Sequence, residues 1–84
     1  MFYTYVLKSK KDNDFYIGST NDLKRRIEEH NSGLVRSTKY RIPFELVYYE
    51  AYKSEKDVRK REQNLKLRSR ALAQLKKRIV NSIQ

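Results

Sequence analysis

Two short runs of aromatic and β-branched residues, Phe2 to Leu7 and Phe15 to Ser19, flank a polar, turn-rich stretch, Lys8-Ser9-Lys10-Lys11-Asp12-Asn13-Asp14. The pattern predicts a β-hairpin with a rather long loop. It also sorts side chains, because alternate residues of a strand take opposite faces. Tyr3, Tyr5 and Leu7 share one face of the first strand, and Tyr16 and Gly18 share one face of the second, opposite Phe15 and Ile17.

A helix should follow the hairpin. Asn21 or Thr20 can cap it, with Asp22 favourable in the first turn, and Asn31-Ser32-Gly33 should end it. Its apolar stripe is Leu23 and Ile27. At 100° per residue Arg26 and His30 border that stripe, while Arg25 points nearly opposite. Residues 34–43 read as a basic, irregular segment ending at the only proline, Pro43, and Phe44 to Tyr52 as a third strand with apolar residues on both faces. Ser54 and Asp57 resemble a capping box for a second helix, and Ser69 is expected to cap a last one carrying Leu72, Leu75 and Ile79.

The second helix carries an oddity. Its apolar positions are Val58 and Leu65, at i and i+7, and the i+4 position between them is Glu62. A carboxylate in an inward-facing slot must be paired, protonated or bound to a cation.

With 84 residues and 38% hydrophobic content, the chain is expected to form one domain, residues 1–84, with a basic helical part over 54–84 and little core to spare. An active site must then share residues with the core. The charge of +10 is lopsided: residues 1–52 carry 9 basic and 7 acidic side chains, and residues 53–84 carry 11 and 3. Such a concentration predicts an anionic partner, nucleic acid or membrane surface. The absence of cysteine excludes a disulfide framework and a thiolate metal site. No signal-peptide pattern and no apolar run of about 18 residues occurs, so a cytoplasmic location without membrane contact is expected.

The tyrosine pair, an arginine one turn inside the next helix and the inward glutamate make a polar cluster that a small core would not select for stability. The motifs "YIG" at Tyr16 to Gly18, Arg26 followed by His30, and "REQNLK" at Arg61 to Lys66 resemble the GIY-YIG nuclease family in its small single-domain form, from about residue 2 to residue 76. Where that family's first motif reads Gly-Ile-Tyr, this chain has Tyr3-Thr4-Tyr5 and keeps only the tyrosine.

The resemblance implies an α+β fold, a three-stranded antiparallel sheet flanked by three helices, and hydrolysis of phosphodiesters with one divalent cation, Mg²⁺ or Mn²⁺. It makes Glu62 the metal ligand and gives Arg26 the phosphate, while Tyr5, Tyr16 and His30 position or deprotonate the attacking water. Lys24, Ser37, Lys39, Arg41, Lys66, Arg68 and Arg70 become expected backbone contacts, and Gly18 is expected to keep the strand end clear for substrate.

An endonuclease acting on DNA, with a preference for branched, damaged or single-stranded forms, is the leading expectation, since no element looks like a base-reading helix. A DNA repair or recombination role and a protein partner that supplies targeting go with it. A catalytically inactive nucleic-acid-binding module is the alternative. Binding to an anionic membrane or acidic partner fits least, because the basic helices lack a strongly aromatic apolar face. Glu62 separates the first two: an inward carboxylate weakens polyanion binding unless a cation lies between.

Overall fold

The hairpin forms as its alternation requires. In the computed structural model, which describes Met1 to Gln84 except Arg68 and the side chain of Ser69, β1 (Phe2–Ser9) runs antiparallel to β2 (Phe15–Thr20), with Tyr5 opposite Gly18 and Leu7 opposite Tyr16. The loop between them is built on Ser9. Its Oγ accepts from the backbone N–H groups of Lys11 and Asp12 at 3.1 and 3.2 Å, and Asn13 takes the left-handed conformation, φ 60°, that asparagine tolerates.

β3 (Phe44–Tyr52) pairs antiparallel with the other edge of β1, giving the order β2-β1-β3. Three helices complete the α+β fold: α1 (Leu23–Asn31), α2 (Glu55–Leu67) and α3 (Ser69–Arg78). Residues 34–43 contain only a short 3₁₀ turn, Lys39–Arg41. The cap of α1 differs from expectation. Asp22, not Asn21 or Thr20, is the N-cap, its carboxylate accepting from the Arg25 N–H at 3.1 Å, while Thr20 Oγ1 accepts from the Asp22 N–H one step earlier. Gly33 follows the helix end at φ +81°, where a side chain would be strained.

The two faces of the sheet bury different clusters. On one, Tyr5, Leu7 and Phe44 pack with Leu23 and Ile27 of α1 and with Tyr16, Ile42 and Leu46. On the other, Val6 and Ile17 pack with Leu65 of α2 and Leu75 of α3, flanked by Phe15, Val47, Tyr48, Leu72 and Ile79. β3 reaches both clusters through a bulge. Val6 lies opposite Tyr48 but Leu7 lies opposite Leu46, so Val47 is an extra residue and the alternation of β3 changes phase there.

α2 is held to the sheet by polar contacts as well. Thr4 Oγ1 donates to the Val58 carbonyl at 3.0 Å, and the Glu50 carboxylate accepts from both the Tyr48 and Tyr52 hydroxyls and from Arg61 Nη2 at 2.9 Å. Tyr48 and Tyr52 thus orient an acid that anchors α2. No helix among the described residues is long and apolar enough to cross a membrane.

Gly18 serves the core rather than substrate access. A Cβ placed on it would lie 2.4 Å from the Tyr5 hydroxyl oxygen and 2.6 Å from Cζ, and Tyr5 is only 1% exposed. The space above the glycine is filled by the tyrosine ring. Gly18→Ala should therefore lower unfolding free energy by roughly 1–3 kcal/mol, as overpacking of a well-filled core does. Denaturant melts test this, and wild-type stability in the variant would mean that the ring has free space to retreat.

Candidate active site

Tyr5 reaches the site from the central strand because the edge strand offers no side chain opposite it. Its ring lies across Gly18, 6.4 Å from the Tyr16 ring, and its hydroxyl meets His30 Nε2 at 2.9 Å. α1 supplies the histidine. Leu23 and Ile27 seat the helix, and His30, expected on the border of the stripe, is fully buried between Tyr5, Tyr16 and Phe44.

The other ring nitrogen, Nδ1, lies 2.9 Å from Thr38 Oγ1. Thr38 donates its own hydroxyl proton to the Val35 carbonyl at 3.4 Å, so its oxygen accepts from Nδ1–H, and Nε2 is left to accept from Tyr5. Burial pushes the imidazole down to about 4, with the neighbouring Arg26 charge acting in the same direction. Burial also pushes the Tyr5 phenol up to about 12, against the pull of the Arg26 guanidinium beside it. At neutral pH both rings are uncharged, and one hydrogen bond runs from phenol to imidazole.

Arg26 is 36% exposed and forms an ion pair with Glu29 at 3.1 Å; Arg25, paired loosely with Asp22, is 63% exposed. The helix faces are those the 3.6-residue period requires. Glu62 approaches from α2, and its charge is felt at Tyr5. Its side chain is 19% exposed and bonded to Lys66 Nζ at 2.6 Å. Burial pushes this carboxyl up, but Lys66 and the Ser19 hydroxyl outweigh it and hold the group below the usual carboxylate range.

Tyr5, Tyr16, Arg26, His30 and Glu62 are therefore brought together, with Lys66 6.0 Å above the Tyr16 ring. Among the expected backbone contacts, Lys66 thus lies at the cluster. Arg41 turns away to Asp12 at 2.7 Å and stacks over Phe44. Lys24, Ser37, Lys39 and Arg70 are exposed, and Arg68 lies outside the described residues. Thr38 passes unnoticed in the sequence, and Asn31 reads there only as part of the helix end. Thr38 is fully buried and fixes the imidazole, and the Asn31 side chain pairs with both backbone groups of Phe44, at 2.7 and 3.0 Å, tying α1 to β3. Thr38 belongs to no periodic stripe, Asn31 continues the Leu23 and Ile27 spacing as a polar residue, and contact alone reveals what each one holds.

A family model described as the GIY-YIG catalytic domain matches residues 1–78. The chain belongs to the GIY-YIG family. That family is one of nucleases, acting on nucleic acid. Among similar proteins, a UPF0213 protein of Clostridium perfringens is 40% identical over 67 residues, 79% of this chain and 71% of the relative. A UPF0213 protein of Streptococcus pyogenes is 44% identical over 54 residues, and there the match spans only 58% of the relative's length. The solution NMR structure of a UPF0213 protein from Bacillus halodurans is 35% identical, with a TM-score of 0.54 over 90% of this chain and 86% of that one. Those names state no activity.

The depressed His30 value predicts a pH dependence for this GIY-YIG domain. Because the folded imidazole titrates below its ordinary value, the unfolded chain takes the proton first. Stability is complete above about pH 6.5 and declines as pH falls toward about 4, by on the order of 3 kcal/mol in full. Denaturant melts across that interval should show the decline in the wild type and a flatter profile in His30→Gln. An unchanged profile in the variant would assign the titration to another group.

Proposed function

We propose that this GIY-YIG chain is a divalent-metal-dependent endonuclease that hydrolyses phosphodiester bonds in DNA. The hydrogen bond from Tyr5 to a neutral, buried His30, with Arg26 beside it, supports this reading above all. A phenol titrating near 12 is a poor base by itself. Here the phenol oxygen can accept a proton from water while its own proton passes to Nε2, 2.9 Å away, so no free phenolate need accumulate. Thr38 holds the imidazole in the tautomer that can receive it.

Arg26 presents a planar fork of donors to phosphate oxygens. Its present partner, Glu29, is 34% exposed, and an ion pair that open contributes at most about 1 kcal/mol, so phosphate displaces it at little cost. Tyr16, half-buried against His30, lines the same space.

Glu62 is the residue that would hold the metal. Among the described residues no group of three or more His, Cys, Asp or Glu side chains gathers, and a single ionised carboxylate suits an ion that keeps most of its water, Mg²⁺ or Mn²⁺, better than zinc. When bound, such an ion neutralises charge on the phosphate and on the leaving oxygen. Lys66, 44% exposed, can release Glu62 and turn to the phosphate backbone.

Cleavage of supercoiled, single-stranded and branched DNA, with and without Mg²⁺ or Mn²⁺, tests the proposal. The wild type should cut only with the ion. Glu62→Gln should lose roughly two to three orders of magnitude in rate while binding DNA as well or more tightly, since one negative charge is gone. Cleavage by that variant at the wild-type rate would remove Glu62 from the chemistry, and wild-type binding without cleavage would leave a catalytically inactive binder. Arg26→Ala should lose far more activity than Arg25→Ala; equal losses in the paired rate measurements would show that the guanidinium beside Tyr5 has no special part.

A further inference from the structure

We infer that Tyr3 and Tyr49 form a stacking platform for an unpaired nucleobase beside the hydrolytic centre, so that the nucleic acid taken there is single-stranded or locally opened. This rests on the nuclease reading above. The bulge at Val47 carries the geometry. Strict alternation from Phe44 and Leu46 would send Tyr49 to the opposite face, but the phase change returns it to the face of Tyr5, directly opposite that residue in the register. Tyr3, two residues before Tyr5, shares the face, and the Tyr3 and Tyr49 rings meet edge to face with centroids 5.8 Å apart.

α1 does not cover this end of the sheet. Its apolar residues Leu23 and Ile27 pack on Tyr5, Leu7 and Phe44, whereas Tyr49 is 51% exposed and Ala51, opposite Tyr3, is exposed. The result is an open aromatic surface on the strands next to the buried Tyr5. β3 lies one strand spacing, about 4.8 Å, from β1, so Tyr49 is the cross-strand neighbour of Tyr5, whose hydroxyl meets the Arg26 guanidinium.

Charge points to the same occupant. Glu50, next to Tyr49 in the chain, faces away and is neutralised by Arg61 with help from Tyr48 and Tyr52, so this carboxylate is kept from the polyanion. The chain as a whole carries +10. Exposed aromatic rings on a positively charged protein are the features by which single strands are held without sequence preference. In a duplex the bases are already stacked on one another and cannot use it.

Affinity for a short single-stranded oligonucleotide and for the matching duplex, measured by fluorescence anisotropy without divalent metal in the Glu62→Gln background, tests the platform separately from cleavage. Tyr49→Ala should weaken single-strand binding roughly 5- to 100-fold, change duplex binding little and leave the salt dependence unaltered, because stacking releases no counterions. Tyr49→Trp should restore the affinity. Melting curves identify variants that keep the parental fold. Unchanged single-strand affinity in folded Tyr49→Ala, or an equal loss for duplex, would overturn the platform and leave the nuclease reading standing. So would a concentration-dependent dimer abolished by Tyr49→Ala, since a second copy would then be the occupant. Failure of the Glu62→Gln parent to bind any nucleic acid would overturn the nuclease reading itself, and the platform with it.

Discussion

A full-sized tyrosine in the central strand of a three-stranded sheet must put its ring over one of its neighbours, and Tyr5 puts it over Gly18. The rest of the site follows from that close approach. The ring brings the phenol oxygen to His30, which α1 can deliver only because Leu23 and Ile27 seat that helix on the same face and Asn31 ties its end to Phe44. The buried polar atoms are in turn obliged to satisfy one another. Tyr5, His30 and Thr38 form one directed series of hydrogen bonds, and among the described residues no buried side-chain nitrogen or oxygen lacks a partner.

Electrostatics divides this small protein into a fixed half and a releasable half. The Glu50 and Arg61 pair, with exposures of 18% and 26%, is braced by two tyrosines and fixes α2 against β3. Removing either partner would leave a sheltered charge uncompensated. The pairs at the site differ: Arg26 with Glu29 and Lys66 with Glu62 each contain a cation at least a third exposed. Under the proposed function a phosphate group would take over these cations without disturbing the Glu50–Arg61 anchor of α2.

Much of this was legible in the residues themselves. Period two grouped Tyr3, Tyr5 and Leu7 on one face of their strand and Tyr16 with Gly18 on one face of theirs, which the register joins, and period 3.6 separated Arg26 from Arg25 and placed Glu62 between Val58 and Leu65, in agreement with the exposures and the buried residues. Local chemistry was less sharp. Three adjacent residues, Thr20, Asn21 and Asp22, could each cap α1, and only the backbone angle of Asp22 decided among them. The loop residues Arg41 and Lys39 were expected at phosphate because a charge with no period has no direction in sequence; in the fold, Asp12 on the hairpin loop captures Arg41.

What the sequence determined by itself was therefore whatever obeys a repeat: the strands, the helix faces, the joint spacing of Tyr16, Arg26, His30 and Glu62, and through that spacing the family. What only the tertiary structure decided depends on contacts between segments far apart in the chain. Thr38 became the partner of His30 because an irregular loop folds back over α1. Gly18 proved to make room for Tyr5, since the occupant of a glycine's empty position is invisible until the strands are paired. Tyr49 reached the face of Tyr5 because pairing with β1 inserts one extra residue, Val47, into β3 and reverses its alternation. A bulge leaves no mark in the hydrophobic pattern of its own strand; it exists only in the register between two strands, which a linear sequence does not contain.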